Sequence, residues 1–352
     1  MPTFVSPAPS PVSRFRYHAR HRGLALALQL GVSLWHHLLA PDGKRPTRSE
    51  LRSTRKRFLE LLQRDVQNVD DGIYPEELLH QFPLSEYMRF IPEAARELLQ
   101  VRQRKRKRRS RDVPSGVNSD DYPRYYLQNF HWQTDGWLSD ESARLYDVGV
   151  EFLFLGTADI MRRMAIRPLV EGLDPHNDSP RILDIACGTG RFIQQIRRTL
   201  PHASIVGLDL SPNYVSFARQ LMAGDEKTDV VRGNAESLPF EDASFDCVSS
   251  VFLFHELPKD ARRRVMREAF RVLKPGGRFT VCDSAQLRGN DEIASALKRF
   301  PVMYHEPFYK GYLKDDLDVI MSDVGFGSPR TETHLVSQVA SAYRPALSDR
   351  SS

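Results

Sequence analysis

From Arg181 onward the chain alternates short apolar runs with amphipathic ones, and this pattern admits few folds. RILDIA, SIVGLDL, DVVRGNA, FDCVSSVFLF and RFTVCDS read as five strands. GRFIQQIRRTL, PNYVSFARQLMAG and DARRRVMREAFRVL lie between them with helical periodicity. Such alternation predicts a mostly parallel sheet covered by helices on both faces. Ligands of such sheets bind beyond the carboxyl ends of the strands, so functional residues belong where strands end.

The first strand runs into Asp184-Ile-Ala-Cys-Gly188-Thr-Gly190, a turn whose glycines let a ligand approach the backbone. A dinucleotide site wants a third glycine three residues later, where Ile193 stands, so the pyrophosphate reading weakens. Asp209 ends the second strand, and a carboxylate there can accept from both hydroxyls of a ribose.

LDIACGTG, GLDLS, GNAESLPF, FDCVSSVFLFHEL and RVLKPGGRF, in this order and spacing, resemble the class I S-adenosylmethionine-dependent methyltransferases. The resemblance covers about residues 180–285 and is strongest to the branch that includes the ubiquinone and menaquinone biosynthesis methyltransferases. It implies a Rossmann-like α/β fold, doubly wound, with a mostly parallel seven-stranded sheet, an antiparallel edge strand and a helical N-terminal extension. THLVSQVASAYR would supply the antiparallel strand. It also implies S-adenosylmethionine as cofactor, released as S-adenosylhomocysteine. Asp184, Gly188 and Gly190 would line its methionine and ribose part, and Asp209 would hold the ribose. Leu210, Asn234 and Ala235 would face the adenine, with Leu238 as a second cover, although ordinary core packing suits each leucine equally. Relatives commonly have Asp at position 234, and an Asn carbonyl can still accept from the adenine amino group. Phe252 would border the sulfonium. His255, as a neutral imidazole, is the candidate base, with Glu256 beside it.

Two aromatic-rich segments flank this unit, residues 122–139 and 300–317. In relatives the corresponding regions form a lid over the acceptor. Tyr304, His305, Glu306 and Tyr309, then Tyr126, His131 and Trp132, are the candidate acceptor-binding residues. Aromatic surface with polar edges suits a small planar or hydrophobic molecule, methylated on oxygen or carbon. Nothing in the spacing of His131, His255 and His305 demands a metal, and none is expected. FHWQTDGWLSDESARLYD also resembles a stretch of methyltransferases from photosynthetic bacteria and plants.

The front of the chain has another character. Residues 1–111 hold 22 basic and 11 acidic side chains, against 28 and 34 in the rest, so the net charge of +5 hides opposite halves. The sequence divides into a disordered or targeting tail (1–22), a helical extension (23–101), a basic and polar linker (102–121), a helical lid segment (122–178), the cofactor domain (179–344) and a tail (345–352). Pro92 reads as a helix start. Residues 24–39 are too short to span a membrane and read either as a helix lying in a membrane interface or as one docked on the protein's own core.

Residues 102–111 carry eight Lys and Arg. Such a run grips nucleic acid in some proteins, but it has no interleaved aromatics to stack bases and reads first as a solvated linker. HELP also stands where amino-directed nucleic-acid methyltransferases carry Asn/Asp-Pro-Pro-Tyr/Phe. A macromolecular methyltransferase and a non-catalytic cofactor-binding partner are the alternatives to a small-molecule enzyme. Three scattered cysteines and an acid-free start suit a reducing compartment, cytoplasmic or organellar, rather than secretion.

Overall fold

The structure is a computed structural model and describes residues 9–39, 47–81 and 84–346, without the side chains of 27–39, 84–87 and 91. Four helices come first: α1 (Pro11–Leu39), α2 (Arg48–Asp70), α3 (Glu77–His80) and α4 (Leu84–Lys107). After an irregular stretch follow α5 (Asp140–Leu153), α6 (Ala158–Arg163) and α7 (Ile166–Glu171). Then the alternating unit begins: β1 (Arg181–Ile185), α8 (Arg191–Thr199), β2 (Ser204–Asp209), α9 (Pro212–Leu221), β3 (Thr228–Arg232), β4 (Phe245–Val251), α10 (Lys259–Val272) and β5 (Leu273–Ser284). It closes with α11 (Ala294–Met303), α12 (Tyr309–Tyr312), α13 (Leu317–Val324), β6 (Gly327–His334) and β7 (Ser337–Tyr343).

The seven strands form one sheet in the order β3-β2-β1-β4-β5-β7-β6. The pairs among β1 to β5 are parallel, and β7 runs antiparallel to both β5 and β6. The Rossmann-like fold with an antiparallel strand near one edge is therefore as expected. THLVSQVASAYR is the end of β6, a turn and β7, and β7 lies one place inside the rim that β6 forms.

Successive side chains of a strand point to opposite faces, and β1 divides its own accordingly. Ile182 joins a core with Ile193 and Ile196 of α8, whereas Leu183 and Ile185 join another with Val265, Met266 and Ala269 of α10. The approach of α8 to the sheet is close: a Cβ on Gly207 would stand 2.5 Å from Ile193 Cδ1 and 2.9 Å from Cys187 Sγ. Ile193 thus fills the sheet–helix seam at the position where a dinucleotide loop has glycine.

The N-terminal block joins the α8 side. Leu61, Leu62, Val66 and Val69 of α2 pack with Ile160 and Met161 of α6 in that same core. Asp65, fully buried, accepts from Arg163 Nε at 2.6 Å and from the Tyr74 hydroxyl at 2.5 Å. It also accepts from the Tyr17 hydroxyl.

Three expectations about the front change. Residues 11–22 are not a free tail: they begin α1, Tyr17 is fully buried, and Arg14 pairs with Asp70 at 2.7 Å. Residues 102–107 are not a linker but the last turns of α4, whose Arg104 donates to Thr134 Oγ1 at 2.8 Å and to the Trp132 carbonyl. The following loop is tied down by Asn129, which accepts from the Asp112 amide at 2.7 Å. Pro92 lies within α4, whose turns continue on both sides of it. Residues 24–26 continue α1, but the side chains that decide between membrane and core, 27–39, lie outside those described. No helix among the described residues is long and apolar enough to cross a membrane.

Candidate active site

The site begins where β1 ends. Ala186 and Gly188 take left-handed backbone angles (φ +56° and +55°), and Gly190 follows at φ +82°. The turn itself calls for glycine at 190, and a Cβ there would also stand only 3.2 Å from Ala218 Cβ on α9, a tight contact. The loop is held from the next strand: Cys187 N donates to Leu208 O at 3.0 Å, and Gly188 N donates to Asp209 Oδ2 at 2.9 Å. Ser211 N donates to Asp209 Oδ1 at 2.9 Å. Asp209 therefore spends part of its acceptor capacity on backbone N–H groups of the two loops and has part left on the cavity side, which fits the hydroxyls of a ribose. Burial pushes its carboxyl up, and these backbone N–H groups oppose that.

A cavity of about 820 Å³, open mouth included, opens above these loops. Asp209, Leu210, Asn234 and Ala235 lie on its wall together with Gly188. Phe252, Glu256 and Tyr126 line it as well. These residues meet the demands of S-adenosylmethionine: a carboxylate for a diol, apolar side chains for a purine and an aromatic ring for a sulfonium. Asn234 Oδ1 accepts from Glu236 N at 2.9 Å, which fixes its own turn. Leu238 is buried in the sheet core rather than set on the cavity wall.

Asp184 and Gly190 do not reach the wall. Asp184 is 1% exposed and accepts from Ser249 Oγ at 2.8 Å. Burial pushes its pKa up to about 7, the Ser249 hydroxyl opposes this, and Asp209 adds to it. The folded protein thus holds this proton more tightly than the unfolded chain, whose carboxyl titrates near 3.8. Its contribution to stability is fully present below that value and falls as pH rises toward 7, at up to about 1.4 kcal/mol per pH unit. Urea unfolding at pH 5 and pH 7 should show this loss, and Asp184→Asn, which keeps the acceptor for Ser249, should show less of it than the wild type.

Next to the cavity four side chains converge: His131, His255, Glu256 and Glu306, each offering a ligand atom within 4.8 Å of the others. They come from three places. His255 and Glu256 sit on a single helical turn, Phe254–Glu256, after β4. His131 sits on a similar turn, Phe130–Trp132, at φ +55°, with Trp132 at φ +64°. Glu306 lies between α11 and α12. Consecutive non-glycine residues in the left-handed region each cost roughly 1–2 kcal/mol, a cost met by the surrounding contacts. One of these contacts is His131 N donating to His305 O at 3.1 Å.

Within the cluster His131 Nε2 lies 2.5 Å from Glu306 Oε1 and 3.5 Å from Glu256 Oε1. His255 Nε2 lies 3.6 Å from the same Glu256 oxygen. Behind it, His255 Nδ1 donates to Asp283 Oδ1 at 2.7 Å, while Asp283 Oδ2 accepts from Phe254 N at 2.7 Å. Burial lowers the His255 pKa, but Asp283, Glu256 and Glu306 outweigh it and hold the imidazole up to about 10. These carboxylates favour its protonated form, which opposes the role of neutral base expected from the sequence. Burial and Glu306 push Glu256 up to about 8, against the two histidines. Burial also lowers His131, which Glu306 and Glu256 more than restore.

His305 stands outside the cluster. Its ring packs on Trp132 with centroids 5.0 Å apart and its Nε2 meets Gln128 Oε1 at 3.1 Å. Tyr309 is 2% exposed, bonded to Ser284 Oγ at 2.5 Å, with its ring edge-on to His255 at 5.9 Å. Tyr304 faces His131 edge-on at 6.4 Å and packs at a tilt against Phe300, with centroids 4.9 Å apart. Sequence reasoning missed Asp283 and the wall residues Trp137, Tyr146 and Tyr214, whose rings meet edge to face at 5.4–5.8 Å. Asp283 was signalled by its place near the end of a strand, as Asp184 and Asp209 were.

The family described as a methyltransferase domain matches residues 182–277. A phthiotriol/phenolphthiotriol dimycocerosates methyltransferase of Mycobacterium tuberculosis is 42% identical over 117 residues, 33% of this chain and 40% of that protein. A demethylmenaquinone methyltransferase of Thermotoga maritima is 34% identical over 146 residues, 42% of this chain and 59% of that protein. The match thus spans about half the length of these curated relatives. Human N-acetylserotonin methyltransferase, solved in complex with S-adenosylmethionine, superposes with a TM-score of 0.50 at 14% identity, covering 74% of this chain and 70% of that one. That likeness speaks for the fold.

Proposed function

We propose that this chain, which carries an S-adenosylmethionine-dependent methyltransferase domain, methylates an oxygen or carbon of a small, hydrophobic or aromatic acceptor. S-adenosylmethionine supplies an activated methyl group in such reactions. Asp209 holds its ribose, Leu210 and Ala235 cover its purine, and Phe252 borders its sulfur. The acceptor lies against the aromatic side of the cavity, formed by Tyr126, Trp137 and Tyr146. The aromatic wall excludes water and aligns the two reactants, which is most of what methyl displacement asks of a protein.

The observation that carries this reading is that the buried cluster meets the cavity at Glu256, the member on its wall. The acceptor's reacting atom sits there as its anion. The carboxylates around His131 and His255 favour the protonated form of each imidazole, and a protonated imidazole within about 4–6 Å favours that ionised form because an opposite charge lowers an acid's pKa. The acceptor's proton is released as it binds. Demethylmenaquinone, named for the Thermotoga maritima relative, is an acceptor of this kind, and its name supports an aromatic, hydrophobic substrate here.

The test uses purified full-length protein, methyl-labelled S-adenosylmethionine and a cell extract separated into lipid, small-molecule, protein and nucleic-acid fractions. Label is expected in the lipid or small-molecule fraction. Label confined to protein or nucleic acid contradicts the reading.

A further inference from the structure

We propose that His131, His255, Glu256 and Glu306 form a binding site for one divalent transition-metal cation, against which the ionised oxygen of the acceptor is placed. The cation site stands on geometry alone. The acceptor's position on it rests on the methyl-transfer reading.

Four ligands at about 2.1 Å from a tetrahedral cation lie roughly 3.4 Å from one another. His131 to Glu256 is 3.5 Å and His255 to Glu256 is 3.6 Å, so these two pairs already have that spacing, and all four atoms lie within 4.8 Å of one another. The 2.5 Å contact of His131 with Glu306 would open by roughly 1 Å as both turn toward the ion.

The carboxylates have capacity to give. Glu256 is 7% exposed and Glu306 4%. Yet Oε2 of each has no hydrogen-bond partner. A buried carboxylate oxygen left without a donor is costly, and a cation removes the cost.

The surroundings are those of a ligated histidine. A metal-binding imidazole usually donates its other N–H to a carboxylate, which fixes its tautomer and its plane. Asp283 accepts a hydrogen bond from Nδ1–H of His255 and so turns Nε2 to the cluster. The rings of Tyr309 and Tyr312 stand edge-on to it at 5.9 and 6.2 Å. Binding the cation releases the protons that the carboxylates otherwise hold on the two histidines, and two neutral imidazoles with two carboxylates then balance a 2+ charge, so the cation takes over the stabilisation of the acceptor anion. Mixed nitrogen and oxygen donors suit zinc, iron, cobalt or manganese better than magnesium or calcium, which prefer oxygen alone. The expectation of no metal rested on His131, His255 and His305. The fold replaces His305 with two glutamates that no sequence spacing links to His131.

A cation beside the cavity, expanding its shell beyond the four protein ligands as the acceptor enters, would hold an acceptor oxygen as its anion by direct bonding. An acceptor with two neighbouring oxygens, such as a catechol or a hydroxyquinone, would bind through both.

The test is Co2+ titration of the full-length chain after chelator treatment and removal of the chelator, read by metal content and by the visible absorption of bound Co2+. S-adenosylmethionine binding is measured on the same samples. One equivalent of tightly bound Co2+ is expected. Glu306→Gln and His131→Asn should lose it while still binding S-adenosylmethionine, and Asp283→Asn should bind it about 10–100-fold more weakly. Uptake far below one equivalent in the wild type, or uptake unchanged in the Glu306→Gln/His131→Asn double variant, overturns the site. Should a variant unfold, Zn2+ titration of the wild type decides by nitrogen NMR. The imidazole signals of His131 and His255 must move while that of His305 stays, and the reverse overturns the proposal. Co2+ uptake without methyl transfer supports the site and overturns the acceptor's place on it. Methyl transfer unaffected by chelator in a protein that takes up no Co2+ overturns the site and leaves the methyl-transfer reading intact.

Discussion

Asp209→Ala is expected to weaken S-adenosylmethionine binding by roughly 100-fold or more, measured by calorimetry. The carboxylate accepts from Gly188 N and Ser211 N, each at 2.9 Å, and keeps acceptor directions toward the cavity. Alanine removes the acceptor for the ribose. Hydrogen bonds to a charged group are worth about 1.5–3 kcal/mol each, so two of them amount to about 3 kcal/mol or more, and about 1.4 kcal/mol is tenfold in Kd. The same substitution frees the two N–H groups that hold the glycine loop against β2, which adds to the loss. Asp209→Asn keeps an acceptor oxygen and should fall between alanine and wild type. An Asp209→Ala protein that binds the cofactor at normal affinity would mean that the ribose sits elsewhere.

Asp65→Ala should be the most destabilising single change in the N-terminal block, by about 3–5 kcal/mol, the cost of breaking a buried ion pair. Asp65 and Arg163 are 0% and 2% exposed, and Asp65 is the shared acceptor for Arg163, Tyr17 and Tyr74. Alanine leaves a buried guanidinium without its counter-charge and two hydroxyls without that acceptor. Against a typical total of about 5–15 kcal/mol this is a large fraction. Urea unfolding measures it directly. The double variant Asp65→Leu/Arg163→Met removes both charges and should recover much of the loss, because the cost lies in the unpaired ion. A change under about 1 kcal/mol for Asp65→Ala would mean that water reaches Arg163, as it does in surface pairs.

The parts of the fold visible in the sequence are those encoded locally. Leu183 and Ile185 beside Asp184 announce a buried strand with a polar end, and Ala261, Val265, Met266 and Ala269 announce one face of α10. Gly188, Gly190 and Asp209 announce a turn and its partner because both lie at strand ends. What was hidden depends on partners far along the chain. Residues 11–22 look like a tail because they hold no acid, yet Asp65 and Asp70, about fifty residues on, supply it. Arg104 looks like part of a solvated charge run until Thr134 and the Trp132 carbonyl receive it. His255 looks like a neutral base because Asp283, 28 positions away, comes to its Nδ1 only through the pairing of β4 with β5. His131 and Glu306 are drawn together by a backbone bond between their two loops, His131 N to His305 O, which no side-chain pattern encodes.

The most direct measurement is a crystal structure of the full-length protein with S-adenosylhomocysteine. The account predicts the ribose hydroxyls on Asp209, the purine between Leu210 and Ala235, and the sulfur beside Phe252, facing Glu256 and the two histidines across the cavity. A nucleoside bound away from Asp209, or a sulfur turned from Glu256 toward the sheet, would contradict it.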